Sequence, residues 1–127
     1  MEELNFIKRK VGMVTNDVSL RLYKMKGQRD KTERSSVAIT FYNGTESFVT
    51  GNKSEYIVVA ILKDRMYFKV SNAAEGYKVS GSKDHVGKRI QMSANVCPAL
   101  ARFVEINEGE YPLKFDPDRG LHYILCD

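Results

Sequence analysis

Tryptophan is absent from this chain of 127 residues, and cysteine, histidine and proline are scarce, at two, two and three. Cys97 and Cys126 form no Cys-x-x-Cys pair and stand at no metal-ligand spacing from His85 or His122, so neither a zinc site nor a disulfide framework is read. In a reducing compartment both would stay thiols, and Cys97 is expected to pack as a small hydrophobe. Nine glycines and three prolines are too few for a low-complexity linker or a collagen-like chain. The longest apolar run, Tyr56–Leu62, falls far short of the roughly twenty residues of a membrane span. The opening Met-Glu-Glu lacks the basic-then-apolar order of a secretory signal, which sets the expectation of a cytoplasmic protein without a membrane partner.

Hydrophobic residues make up 43% and charged residues 28%, the balance of one globular domain. The formal net charge is +4, unevenly spread. Residues 8–34 hold nine Lys and Arg against three Asp and Glu, a local +6, and the rest of the chain sums to −2. A concentrated basic segment on a nearly balanced body is the footprint of a polyanion binder, since each neutralised phosphate releases counterions. It is equally the footprint of a solvated lysine-rich loop that keeps the protein soluble.

Along the chain, residues 1–10 are mixed and expected to fray. Val18, Leu20 and Leu22 alternate with Ser19, Arg21 and Tyr23, the period of a half-buried strand. Residues 27–35 are polar and expected to be an exposed loop, and Val37–Phe41 a short strand ended by Asn43-Gly44. Tyr56–Leu62 is expected to be a strand buried on both faces, paired through Lys63-Asp64 with strand 65–71. Between 71 and 83 a loop with one short strand is expected, then a strand at Arg89–Met92. Val96, Leu100, Phe103 and Val104 recur with helical spacing, predicting a helix that starts near Asn95 or Cys97, with Ser93 or Asn95 available as cap and Pro98 in its first turn. Glu110–Asp116 and Leu121–Leu125 then read as a second hairpin around Pro117-Asp118-Arg119-Gly120, with Pro112 at an edge or a strand start.

The two hairpins resemble each other at a separation of 55 residues in both strands, and each carries an Asp-Arg pair at its turn and follows a short apolar strand. The expectation is therefore one domain, mainly β with one or two short helices. It is built from two strand-helix-hairpin units, 35–71 and 88–127, closed on one another as a pseudo-twofold β-barrel or sandwich.

Gly87-Lys88-Arg89-Ile90, then Pro98–Ile106 running into Asn107-Glu108-Gly109-Glu110, resembles the AbrB/MazE-like swapped-hairpin family over residues 84–125. There a short helix ends in an Ile-x-x-Gly-Asp type turn before a β-hairpin, and a Gly-Arg-Ile sequence enters the first strand. The resemblance implies a small DNA-binding protein, a transcriptional regulator whose contacts come from basic residues of the first strand and the helix. By position these are Lys88 and Arg89, with Arg102 one place from the family's basic helix position, where Ala101 stands. The chain departs from the family in having Ser93 where a proline follows the first strand, and in a longer approach to the helix.

No Walker loop, GxGxxG, GxSxG or HExxH occurs, and Asp84-His85, if in a strand, would point to opposite faces, so a non-enzymatic protein without cofactor or metal is read. Glu105, Glu108 and Glu110 are taken as a solubilising rim. The leading expectation is duplex DNA binding through Arg21, Lys24, Lys26, Arg29, Lys31 and Arg34, with Lys88, Arg89 and Arg102, and with Tyr23 as a possible stacking residue. Two alternatives stay open: an interaction module or phage-type inhibitor docking on an acidic protein partner, and a single-stranded nucleic-acid binder. The chain is read either as a monomer with its own twofold or as a homodimer.

Overall fold

The computed structural model describes residues 17–26, 33–81 and 87–126, and at 25, 26 and 33 the backbone alone. Expectations for the amino terminus, for the sites Arg29 and Lys31, and for Asp84-His85 lie outside the described residues. In chain order the elements are β1 (Val18–Lys26), β2 (Glu33–Tyr42), α1 (Glu46–Thr50), β3 (Tyr56–Leu62), β4 (Arg65–Ser71) and β5 (Tyr77–Lys78). There follow β6 (Ser80–Gly81), β7 (Gly87–Ser93), α2 (Pro98–Ile106), β8 (Gly109–Tyr111), β9 (Lys114–Asp116) and β10 (Leu121–Leu125).

The strands make two separate antiparallel sheets, in the orders β6-β7-β2-β1-β8 and β5-β3-β4-β10-β9. They share one core. Leu20, Ile39, Phe41 and Ile90 from the first sheet, and Ile57, Met66, Phe68 and Ile124 from the second, are essentially fully buried in one cluster. The rings of Phe41 and Phe68 meet edge to face at 5.1 Å. The barrel form of the expectation is thus corrected to two separate sheets packed on one core. The chain passes between sheets at Val79 and at Pro112-Leu113, and the bordering strands there are only two or three residues long.

In β1, Val18 and Leu20 turn to the core and Leu22 packs at its margin, as alternation requires. β2 is longer than the expected Val37–Phe41. Arg34 and Ser35 pair with Met25 and Lys24, because ladder bonds are made by backbone whatever the side chain, so the polar stretch 33–35 is strand. β3 is corrected as well. Its only buried residue is Ile57, because β5 flanks Tyr56 and Ile57 alone and leaves Ala60, Ile61 and Leu62 exposed at a sheet edge. Where one short strand was expected before residue 83, two form, β5 and β6, one in each sheet.

Pro98 occupies the first position of α2 and Cys97 its N-cap; no side chain caps it, so Ser93 and Asn95 do not serve there. Val96 precedes the helix and is exposed, and the buried stripe is Leu100, Ala101 and Val104. The strand expected at Glu110–Asp116 is split in two. Pro112 has no N–H for a ladder, and the next amide, Leu113 N–H, donates to Asp17 Oδ2 at 2.9 Å, so β8 joins β1 in one sheet while β9 joins β10 in the other.

The hairpin spacing seen in the sequence recurs in the pairing. Val59↔Phe68, Ala60↔Tyr67 and Ile61↔Met66 are matched 55 residues later by Lys114↔Tyr123, Phe115↔His122 and Asp116↔Leu121.

Candidate nucleic-acid interface

Period-two alternation sorts the expected cations onto faces. On the first sheet Thr40 pairs both Ser19 and Arg89, and Ala38 pairs both Arg21 and Gln91. Arg21, Tyr23, Arg89 and Gln91 therefore share its outer face. Arg34, two residues from Ser36 on β2, belongs to the same face. Arg21 and Arg89 stand two strands apart, about 10 Å across the sheet. Tyr23, two residues beyond Arg21 on β1 and on the side away from Arg89, is 44% exposed. The small residues of this face, Ser19 and Ala38, are buried, with Ser19 Oγ 3.2 Å from the Tyr42 hydroxyl. Gln91 Nε2 donates to Ser36 Oγ at 3.0 Å.

Lys24 and Lys88 alternate to the opposite face. Lys88 lines a depression with Glu46 and Lys53 beside α1, so Lys88 and Arg89 do not act on one surface. Arg102 is apart from both groups, on the exposed side of α2 beside Glu105 and Ile106. Among the described residues, Arg21, Lys24, Lys88, Arg89 and Arg102 make no ion pair and no side-chain hydrogen bond.

The sheet is not equally wide along its length. β8 ends opposite Leu20 and β7 ends opposite Ser36, whereas the β1–β2 ladder continues to Lys26↔Glu33. Beyond Tyr23 and Ser36 the ladder continues between these two strands as a ribbon, with the Ser35 C=O still accepting the Ala94 N–H at 2.9 Å, and reaches about 10 Å past the last β7 pair. Its register positions include Lys24, Lys26 and Arg34, and the segment joining its strands contains Arg29 and Lys31. Residues 24–35 hold five basic and two acidic residues, a net +3. One flank of β1 is closed nearer the body: Glu108 Oε1 accepts the Leu22 backbone N–H at 2.6 Å. Glu108 is therefore a strand-edge cap and not simply part of a solubilising rim.

A second constellation, on the outer face of the second sheet, was not singled out from sequence. The Tyr67 hydroxyl donates to Asp116 Oδ2 at 3.1 Å and accepts from Arg65 at 3.2 Å. Arg65 stacks 4.8 Å over the Tyr123 ring, and Arg119 lies 5.3 Å over the Tyr67 ring while its Nε is 3.6 Å from Asp116. The hydrogen bond to Tyr67, with the surrounding aromatic and acidic groups, holds the Arg65 guanidinium above its ordinary pKa. The sequence signal was present: both hairpin turns carry Asp-Arg, and each following strand carries a tyrosine. Both arginines here already have partners inside the fold, so the arrangement clamps β4, β9 and β10 together.

Among the described residues no group of three or more His, Cys, Asp and Glu is placed to hold a metal ion, and no helix is long and apolar enough to cross a membrane. No family model, no curated protein and no solved structure matches this chain.

Proposed function

We propose that this protein is a non-catalytic, cytoplasmic DNA-binding protein that engages duplex phosphates through the β1–β2 ribbon and the outer face of the first sheet, in the manner of a transcriptional regulator. The observation that carries the reading is the ribbon: two paired strands that outrun their sheet, in a segment, residues 24–35, whose sequence carries a net +3. The major groove, about 12 Å wide, admits a two-stranded β-ribbon, and no wider sheet. Arg21 and Arg89, without partners among the described residues, supply phosphate contacts at its base, and Tyr23 supplies an exposed aromatic beside Arg21.

The same proposal takes the units 35–71 and 88–127 as related by a local twofold. Support comes from the matched hairpin registers and from β2 pairing β7 and β4 pairing β10, each pair antiparallel as an axis between them requires.

The test is a titration of random duplex, single strand and heparin at several salt concentrations. Replacing Arg21 and Lys24 together by Ala should weaken duplex binding and reduce the log–log salt slope by about two. Lys69→Ala, on the other sheet, should leave both unchanged. A preference for single strands would transfer the site to a stacking mode at Tyr23. An unaltered slope removes both residues from the site. Retention of a partner from lysate after nuclease digestion, with no duplex binding by the pure protein, would favour the acidic-protein alternative.

A further inference from the structure

A sheet edge is an invitation to pair, and natural folds blunt their edges with short strands, charge or covering groups. Most edges of this protein follow that rule. β6, β8 and β9 are two or three residues long. The flank of β1 beyond β8 meets the Glu108 carboxylate and then carries Tyr23 and Lys24. The flank of β7 beyond β6 shows polar Gln91 and Ser93 between buried Ile90 and Met92.

β3 is the departure. Past Ile57, where β5 stops, its flank runs Val58-Val59-Ala60-Ile61-Leu62 with no charge and no proline. Ala60, Ile61 and Leu62 are exposed. Glu55 C=O accepts the Val79 N–H at 2.7 Å, so odd-numbered residues of β3 turn their backbone groups outward and even-numbered ones bond β4. Among the described residues, the outward N–H and C=O of Val59 and Ile61 have no partner.

We infer that two copies of this chain associate by antiparallel pairing of β3 with β3 about a twofold axis at Ala60. That register places Val59 opposite Ile61 of the second copy and Ile61 opposite its Val59. The four orphan backbone groups on each chain then close four hydrogen bonds between copies. Ala60 faces its own equivalent in a non-hydrogen-bonded pair, where Cα atoms approach to about 4.5 Å and a small side chain fits best. Val58 meets Leu62 on one face of the joined sheet, and Val59 meets Ile61 on the other, apolar on apolar throughout. β5 bars any slide toward Ile57 and so sets the register. At each end the exposed Lys63 of one hairpin tip comes end-on to the segment entering β5 of the other copy, which carries the exposed Glu75. Five residues per copy bury less than the roughly 1,000 Å² of a tight interface, so the dimer is weak and concentration-dependent.

Sedimentation of the full chain, free of nucleic acid, over a broad concentration range tests this independently of the ribbon. The mass should rise from monomer to dimer. Ala60→Lys, which sets two like charges against each other at the axis, should raise the dimer dissociation constant at least about tenfold with the circular dichroism spectrum unchanged. In a Cys97→Ser background, Ala60→Cys should form a disulfide-linked dimer under mild oxidation, since about 4.5 Å lies within disulfide reach. Leu62→Cys should not, because its own equivalent lies about 13 Å away along the paired strands. A chain that stays monomeric, a dimer indifferent to Ala60→Lys, or equal cross-linking at 60 and 62 would each overturn the inference. So would a pure monomer whose β3 edge instead captures a strand from another protein.

Discussion

On the outer face of the second sheet, Arg65 and Arg119 lie against the rings of Tyr123 and Tyr67, and one carboxylate, Asp116, ties the group together. On the outer face of the first sheet, Arg21 has the same chemistry at hand in Tyr23, yet among the described residues neither it nor Arg89 has an ion pair or a side-chain hydrogen bond. The two faces use the same residue types. What separates them is the acid: β9 brings Asp116 beneath two guanidinium groups, whereas among the described residues no carboxylate is ion-paired with Arg21 or Arg89. An arginine whose donors are met inside the fold contributes to holding strands together, whereas one without partners keeps its charge available to a phosphate. Position in a sheet decides which.

The comparison can be broken most forcefully from beneath. Phe68 packs on Phe41 in the core that both sheets share. Phe68→Ala should cost about 3–5 kcal/mol in urea denaturation, and spectroscopic probes of the two sheets should lose structure in one transition. Two separate transitions would show that the sheets are not one cooperative unit. A smaller effect sharpens the contrast between faces. Tyr67→Phe removes both hydrogen bonds of its hydroxyl and should lower stability by about 1–2 kcal/mol while leaving duplex binding unaltered. A loss of binding would move the interface to the second sheet.

The smallest effect is in pH. His122 sits half-buried between Phe48 and Phe115, at ring distances of 6.4 and 4.9 Å, and this desolvation lowers its pKa. Asp17 and Lys114 line the same depression. Because the folded chain binds the proton less readily than the unfolded one, this contribution to stability is complete above the ordinary histidine value of about 6.5. It declines as the pH falls through that value toward the lowered one. His122→Phe should abolish that component in denaturation midpoints followed from pH 8 to pH 5, and a midpoint trend unaffected by the substitution would exclude His122 as its source.

Much of the fold was legible in the chain. The alternation in β1, the hairpin around Lys63-Asp64, the helix at Pro98 and the 55-residue spacing all follow from local patterns that backbone geometry imposes. The strand split at Pro112 was half visible: proline announced an interruption, but nothing local says that Tyr111 and Lys114 belong to different sheets. β3 shows the opposite failure. An apolar run suggests burial on both faces, yet burial depends on what lies alongside, and β5 covers only two residues of it. At the candidate site, the residue types were readable and the grouping was not. Lys88 and Arg89 are neighbours in sequence and face opposite sides, while Arg21 and Arg89 are far apart in sequence and share a face.

Composition and periodicity alone therefore determined that this is a strand-rich chain with a basic segment near one end, because charge count and side-chain alternation are local properties. Which cations are left without partners, which edge stays open and how far the β1–β2 ladder outruns its sheet were decided only by tertiary pairing. Those depend on where strands distant in sequence begin and end against each other, and no local pattern encodes that.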